Sequence, residues 1–557
     1  MGDVISDDYQ TDYVAGQDNI EKFGFDIHNI VFPLTAILIV AFVVGTLIFP
    51  AGAKELLDSA KNGAIAVFDW GFLLSANLFV VFCLALIFMP VGKIRIGGLD
   101  AKPEFSLLSW FAMLFAAGMG TGLMFWSVAE PVAYYTDWYG TPLGVEPNTA
   151  EGARLAMGAT MYHWGLHPWA IYAIVGLSLS FFAFNKGLPL TIRSAFFPIL
   201  GDKVWGWPGN VIDTVSVLAT IFGLATSLGF GAQQAASGIS YLFDIEGGLN
   251  IQVGVIAGVT AVATLSVIRG IHGGVRILSN ANMIMAGLLL LFVIFAGPTL
   301  AVFQWLWDTS VSYASNMFSL SNPFGREEDT TWFHGWTVFY WAWWISWSPF
   351  VGMFIARVSH GRTVREFVTA VLIIPTIITL FWMSAFGGGA LNQVQNDIGV
   401  LGSEGLTEVS LAMFQMLENI SLSGITSFIG ITLVLTFFVT SSDSGSLVID
   451  MITAGGHHEP PVKQRIFWAI MEGLVAAVLL LAGGLIALQT AALTTALPLS
   501  IVLLLICWGL VRQLRKDPSR ATRYGVNPLE LQKEEKERAR KAAAPINQEG
   551  ANIQKEH

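Results

Sequence analysis

The stretch VFPLTAILIVAFVVGTLIF, residues 31–49, is the first of many apolar runs of about twenty residues in this chain. At about 1.5 Å per residue, a helical run of that length reaches across a hydrocarbon core of about 30 Å. No other feature constrains the fold so strongly. In lipid every backbone N–H and C=O must be satisfied within the protein, which leaves helices or closed barrels. The runs are continuously apolar and do not alternate as barrel strands do, so helices are predicted. Composition agrees: among 557 residues 54% are hydrophobic and 12% charged, too little polar surface to coat a soluble globule of this size.

Twelve spans are predicted, at 28–50, 68–91, 106–129, 155–184, 208–232, 250–268, 281–305, 334–356, 366–390, 423–448, 465–485 and 489–511. Thirteen Lys/Arg fall in alternate loops, against Lys54, Lys61, Arg154 and Arg326 in the others. That asymmetry places both termini in the cytoplasm and the chain in the inner (plasma) membrane as a multi-pass protein, in contact with membrane lipids. The first 26 residues carry seven Asp/Glu and one Lys, without the positive n-region of a secretory signal, and read as a retained acidic tail over 1–27. Residues 28–105 hold two peripheral helices, 106–305 and 306–511 hold five spans each, and 512–557 read as a charged cytoplasmic tail whose NPLELQKEEKERARKAAAP segment suits an exposed helix. The connection 270–280 is read as lying along the membrane surface, and 403–420 as holding a short outer helix. Cys83 and Cys507 sit far apart inside spans and suggest no disulfide framework. No basic stripe points to nucleic acid.

Two spans look interrupted. In the third, AAGMGTGLMFW places Gly118, Gly120 and Gly122 within five residues, and each glycine destabilises a helix by about 1 kcal/mol relative to alanine. Close packing of neighbouring helices is the ordinary membrane use of such glycines. In the eighth, SWSPF contains Pro349, which lacks a backbone donor, beside Ser346 and Ser348, which can satisfy freed backbone groups. Spans 3 and 8 are five apart. Interrupted helices at corresponding places in two halves point to an inverted-repeat transporter with its site near the midplane.

The aromatic residues cluster at the same depth. In YHWGLHPWAIY, Trp164, Trp169 and Tyr172 fall at about 0°, 140° and 80° on a helix of 100° per residue, one broad face before any kink at Pro168. Tyr340, Trp344 and Trp347 form a stripe at i, i+4, i+7 in FYWAWWISWSPF. Trp332 and Trp336 fit an interfacial belt and Trp341 faces lipid on this reading, but Trp344 lies about ten residues from either end of its span. Aromatic cages hold cations with diffuse, methylated charge, each face contributing about 0.5–2 kcal/mol. A compact ammonium would call for carboxylates, and neither aromatic stretch contains one.

GMGTGLMFW, HPWAIYAIVGL, FYWAWWISWSPFVGMFIARVSHGRT and FFVTSSDSGS resemble the betaine/choline/carnitine transporter (BCCT) family over essentially all twelve spans. The resemblance implies an all-α polytopic membrane protein with a LeuT-type five-plus-five inverted repeat and two extra N-terminal helices, assembled as a homotrimer. It implies a substrate site of Trp164, Trp169, Tyr172 and Trp344, with Trp347 towards the substrate carboxylate, Met119 and Gly120 lining the unwound backbone, and Trp343 on the exit path.

Gly122 is similar to the sodium-coupled betaine members, where proton-coupled choline carriers often have Asp. Ala116, Met119, Phe437, Thr440 and Ser441 match the family's sodium site, whose hard oxygen ligands suit Na⁺ as coupling ion. Hydroxyls bonding back to their own helix are the plainer reading of Thr440 and Ser441. A second sodium site would draw on Thr220 and Phe350, but Leu224 stands where a second threonine is found in the family and removes an oxygen ligand. His163 and His167 read as packing or hydrogen-bonding residues, because no third metal ligand is evident. Asp213 and Asp443 are intramembrane candidates, Asp443 as a gate contact. Glu130, before Pro131 at a helix end, reads as facing water. The expected function is uptake of a zwitterion bearing a trimethylammonium or dimethylsulfonium group, glycine betaine or dimethylsulfoniopropionate, by alternating access. Proton-coupled choline uptake and ion-independent carnitine or betaine exchange are the alternatives. No catalytic triad, metal cluster or phosphate loop points to an enzyme.

Overall fold

The computed structural model describes residues 11–118, 120–269, 274–457 and 459–517. A hairpin of β1 (Asn19–Lys22) and β2 (Phe25–His28) precedes a helical body. The first helices are α1 (Val31–Ile48), α2 (Pro50–Phe88), α3 (Leu107–Gly118), α4 (Thr121–Tyr135), α5 (Ala150–Trp164) and α6 (Leu166–Ser180). A short α7 (Phe197–Leu200) leads to α8 (Trp207–Phe243), α9 (Leu249–Arg269), α10 (Gly274–Ala296) and α11 (Thr299–Leu320). Then come α12 (Thr330–Trp332), α13 (Phe339–Val358), α14 (Val364–Gln395), α15 (Gly399–Glu404), α16 (Ala412–Glu418), α17 (Ser423–Thr453) and α18 (Val462–Lys516).

Among the described residues, nine helical segments are long and apolar enough to cross a membrane. The predicted third span is absent from that set because it is divided into α3 and α4, and α18 counts once although it covers two predicted spans. At 55 residues α18 would run about 80 Å if straight, far more than a bilayer core. It turns at Gly483 and Gly484, where Gly484 takes φ +60°, ψ −139°, a conformation open to glycine. Two features differ from the sequence reading. Helix α11, 22 residues long, was not predicted between the seventh and eighth spans, and α10 ends at Ala296, short of the expected 305. The expected helix in 403–420 is present as α16. The surface reading of 270–280 falls partly, and the tail helix after Asn527 wholly, outside the described residues.

Burial follows position. In α13 the fifteen residues from Phe339 to Met353 are all buried, as is every residue of α6 from His167 to Ser180. A helix apolar all round belongs in an interior. Helix α13 packs on α6, α8 and α18, with α14 against α4 and α6. By contrast α1, α9 and α10 keep only a fifth to a third of their apolar windows buried and form the rim.

Residues 11–28, read from the sequence as an acidic tail up to 27 and the start of the first span, are folded against the helical body. Phe23 and Gly24 both have φ > 0, which gives the two-residue loop whose twist suits a hairpin. Asn19 donates Nδ2 to the Ala454 carbonyl at 2.9 Å, and the Asp26 N–H donates to Gln464 Oε1 at 2.5 Å. On the other side, Tyr13 stacks on Trp205 at 4.2 Å, and Thr11 donates to Asp202 at 2.8 Å. The hairpin thus joins the end of α17 and the start of α18 to the segment before α8. There Asp213 receives the Arg193 backbone N–H at 3.0 Å and its Nε at 2.5 Å, a buried ion pair.

His28 closes this joint. Its Nδ1 accepts the Ile30 and Val31 N–H groups at 3.2 and 3.3 Å, capping α1, while Nε2 lies 3.4 Å from Arg193 Nη1. Burial, aided by the Arg193 charge, lowers its pKa from 6.5 to about 4. The unfolded segment therefore binds a proton that the docked one refuses. Stabilisation by His28 is complete above about pH 6.5 and is lost as pH falls towards 4. Hydrogen exchange of residues 19–28 should show protection at pH 7.5 that declines between pH 6.5 and 4, and His28→Gln, which keeps an acceptor without titrating, should flatten that decline. An unchanged profile in the variant would remove His28 from the joint.

Candidate functional site

Two helix breaks meet one unbroken helix at the centre. Between α3 and α4, Gly120 adopts an extended backbone (φ −172°, ψ −125°), and a Cβ there would lie 3.6 Å from the Phe437 ring of α17. The glycine-rich third span is therefore unwound as expected; Met119 lies outside the described residues, and Gly118 ends α3. The fourth span breaks at Gly165, between α5 and α6, and not at Pro168. A Cβ at Gly165 would come within 2.7 Å of the Met161 carbonyl and of the Tyr313 hydroxyl, so a larger residue cannot sit there. Tyr313 in turn accepts the Leu166 N–H at 3.0 Å.

The eighth span corrects the expectation of a break at SWSPF. Helix α13 runs unbroken through Pro349, preceded by a π-turn at Phe333–Val338. Proline at 349 cannot donate to the Ile345 carbonyl, and Ser348 Oγ takes that acceptor at 2.7 Å, so the helix continues. Ser346 donates to the Ala492 carbonyl at 3.1 Å and ties α13 to α18.

Around this junction the rings converge. Trp164 meets Trp344 edge to face at 5.0 Å (77°), Tyr172 meets Trp344 at 6.2 Å (83°), and Trp169 meets Tyr172 at 5.6 Å (83°). Trp343 stacks on Trp344 at 4.6 Å and 16°. Trp347 lies 6.3 Å from Trp343 and 5.6 Å from Phe350. Trp164, Trp169 and Tyr172, expected on one face of one helix, thus come from α5 and α6, because the break at Gly165 separates Trp164 from the other two, while Trp344 comes from α13. Trp344 Nε1 donates to the His163 carbonyl at 2.9 Å, an acceptor in the last turn of α5, and Trp343 Nε1 donates to Ser227 at 3.2 Å. Among the described residues, the buried polar atoms Trp169 Nε1, Trp347 Nε1 and Tyr172 Oη have no protein partner.

Glu130 does not face water. It is fully buried, with Oε2 accepting Trp164 Nε1 at 2.7 Å and the Tyr340 hydroxyl at 2.5 Å, and Oε1 accepting the Tyr134 hydroxyl at 2.8 Å beside His163 Nδ1 at 2.9 Å. The reason is the third-span break, which starts α4 at Thr121 and carries Glu130 inward within a helix buried along its whole length. The interfacial reading of Trp332 and Trp336 and the lipid-facing one of Trp341 fail likewise: all three are buried, Trp341 stacks on His167 at 5.2 Å, and Tyr134 contacts Trp332 and Trp336 at 5.4 and 4.9 Å. His163 and His167 are hydrogen-bonding residues, His167 to Asn77 at 3.1 Å. Glu130 was the residue missed. The available signal was an ionisable group one residue past the predicted third span, with a tyrosine four residues on.

The expected ion ligands fall in two places. On α17, Thr440 Oγ1 lies 3.1 Å from the Thr436 and Phe437 carbonyls of its own helix, and Ser441 follows it. Ala116 belongs to α3, and nothing is described of its side chain. Thr220 on α8 donates to Ser216 at 2.7 Å, while Leu224 is buried against Gly445 and offers no oxygen. Asp443 accepts the Ser266 hydroxyl at 2.8 Å, joining α17 to α9, and Asp213 pairs with Arg193.

Gly122 sits where two of these rings meet. A Cβ there would lie 2.6 Å from Trp343 Cη2 and 3.1 Å from Trp164 Cη2, and both indoles are held by hydrogen bonds. Overpacking of this kind costs about 1–3 kcal/mol. Gly122→Ala should therefore lower the thermal midpoint of the purified protein in detergent by several degrees. An unchanged midpoint would mean that the ring cluster is loosely held.

A family model described as BCCT, betaine/carnitine/choline family transporter, matches residues 30–519. Glycine betaine transporter 1 of Vibrio parahaemolyticus is 60% identical over 511 residues, 91% of this chain and 97% of its own length. A glycine betaine/proline/choline/ectoine transporter of the same organism is 58% identical over 513 residues, 91% of each chain. The glycine betaine transporter OpuD of Bacillus subtilis is 44% identical over 496 residues, 87% of this chain and 94% of its own. Similarity of that extent, spanning every helix from α1 to α18, makes this chain a member of the BCCT family, a multi-pass membrane transporter and not an enzyme.

Proposed function

We propose that the protein imports a methylated zwitterion, glycine betaine or dimethylsulfoniopropionate, by Na⁺-coupled alternating access, and that Trp164, Trp169, Tyr172 and Trp344 form its cation cage. The observation that carries this reading is the convergence of mutually perpendicular rings from three helices at two breaks. A diffuse, weakly hydrated cation gains from several aromatic faces at once, each worth about 0.5–2 kcal/mol. The rings now touch one another, with Trp164 and Trp344 at 5.0 Å. Admitting a trimethylammonium group therefore requires α5 and α13 to separate, as alternating access demands. Three indole and phenol groups without a protein partner among the described residues, Trp169 Nε1, Trp347 Nε1 and Tyr172 Oη, are donors available to a substrate carboxylate.

The similarity to glycine betaine transporters supports a betaine-type substrate. Twelve spans follow if α3 with α4 and α12 with α13 are each counted as one and α18 as two. Spans 3–7 and 8–12 are then the two halves of a LeuT-type repeat, with α1 and α2 outside it, both termini cytoplasmic and three copies per assembly. Na⁺ coupling draws on the Ala116, Met119 and Phe437 carbonyls with Thr440 and Ser441. That set requires the Thr440 hydroxyl to leave its own helix. With Leu224 in place of an oxygen ligand, we assign one Na⁺ per cycle.

Proteoliposomes offered labelled glycine betaine, dimethylsulfoniopropionate, choline or carnitine, with and without an inward Na⁺ gradient, test substrate and coupling together. The expected result is uphill accumulation of glycine betaine or dimethylsulfoniopropionate, and only with the gradient. Accumulation that ignores Na⁺ would overturn the coupling. Trp344→Ala should weaken betaine binding by tenfold or more, and unchanged affinity would return the ring to packing.

A further inference from the structure

We propose that Glu130 is a positioning residue for the aromatic cage, using its charge to fix two of the rings that bear on Trp344, Trp164 and Tyr340, and to enrich their faces in electron density. The proposal rests on the cage reading above and concerns a residue that reading does not use.

The geometry is that of a filled anion shell. Four groups able to donate reach one carboxyl, two to each oxygen, from α4, α5 and α13. An indole N–H can only donate, so Oε2 is an acceptor, and an acceptor-only ionised carboxylate satisfies all four. The His163 ring fits the same scheme: with its proton on Nδ1 towards Glu130, Nε2 accepts the Thr337 hydroxyl at 3.0 Å. Among the described residues no Lys or Arg pairs with Glu130, and His163 is its one basic neighbour. Ordinary core packing does not call for such a charge, since an apolar group of similar volume fills the same space without desolvation.

Two of the four donors connect Glu130 to the cage. Trp164 is held by its N–H and meets Trp344 edge to face, while Tyr340 is held by its hydroxyl and lies nearly parallel to Trp344, 6.1 Å away at 28°. Charge-assisted bonds are about twice as strong as neutral ones and polarise the donor. An indole whose N–H leans on a carboxylate carries a more negative face, and a cation reads that difference where an uncharged group of the same shape does not.

The test is therefore a ratio of affinities. Binding of glycine betaine and of its carbon isostere 3,3-dimethylbutanoate, which has the same carboxylate and shape but no positive head, is measured on the full-length protein in detergent. Wild type should favour betaine. Glu130→Gln should shrink that preference roughly tenfold, the difference between a charged and a neutral acceptor, and Tyr340→Phe, which removes one donor and keeps the ring, should shrink it severalfold. If Glu130→Gln does not fold, the Tyr340→Phe ratio decides alone. Variants that retain the wild-type ratio, including any that weaken both ligands equally, would overturn the proposal and leave Glu130 as packing. A wild type with no preference for betaine would instead overturn the cage itself.

Discussion

Everything at the centre of this protein depends on how a helix can be interrupted in an apolar interior without leaving backbone groups unpaired. A buried N–H or C=O without a partner costs roughly as much as a lost hydrogen bond, and no water is at hand to replace it. Two places show how this is met. The turn at Gly165 is held by Tyr313, which accepts the Leu166 N–H, and the His163 carbonyl nearby receives Trp344 Nε1. Pro349 opens no gap, because Ser348 takes the carbonyl that proline cannot serve.

These repairs also place the chemistry. Trp344 is both a ring of the proposed cage and the donor that satisfies the end of α5, so the separation of α5 from α13 proposed above would also break or stretch that bond. Tyr313 brings in α11, which packs along α5, so that a helix outside the predicted spans supports the fourth-span break. The structural role and the proposed binding role of Trp344 thus fall on the same side chain.

The packing of the N-terminal hairpin has a different basis. The junction between β1–β2, Trp205 and the α17–α18 connection relies on stacking, backbone hydrogen bonds and the buried Arg193–Asp213 pair. Removing one member of a buried ion pair leaves an uncompensated charge and costs several kcal/mol, so Arg193 and Asp213 are better understood together than singly. The hairpin touches both the segment before α8 and the segment after α17, and its docking constrains any motion of one relative to the other.

Most of the architecture was legible in the sequence. Apolar runs of about twenty residues dictate membrane helices, glycine density foretold the unwinding at Gly120, and tryptophan spacing in α13 marked a ring stripe far from either interface. These are local properties, set by bilayer thickness, backbone entropy and helical period. What the tertiary structure decided is non-local. It put the fourth-span break at Gly165, because Met161 and Tyr313 leave no room for a Cβ there. It kept α13 whole despite Pro349. It turned Glu130 inward to Trp164, Tyr134, Tyr340 and His163, where a proline-flanked glutamate in the sequence suggested water, and it folded residues 11–28 against the helices. Periodicity says which face a residue occupies on its own helix; only the packing of other helices says what that face meets.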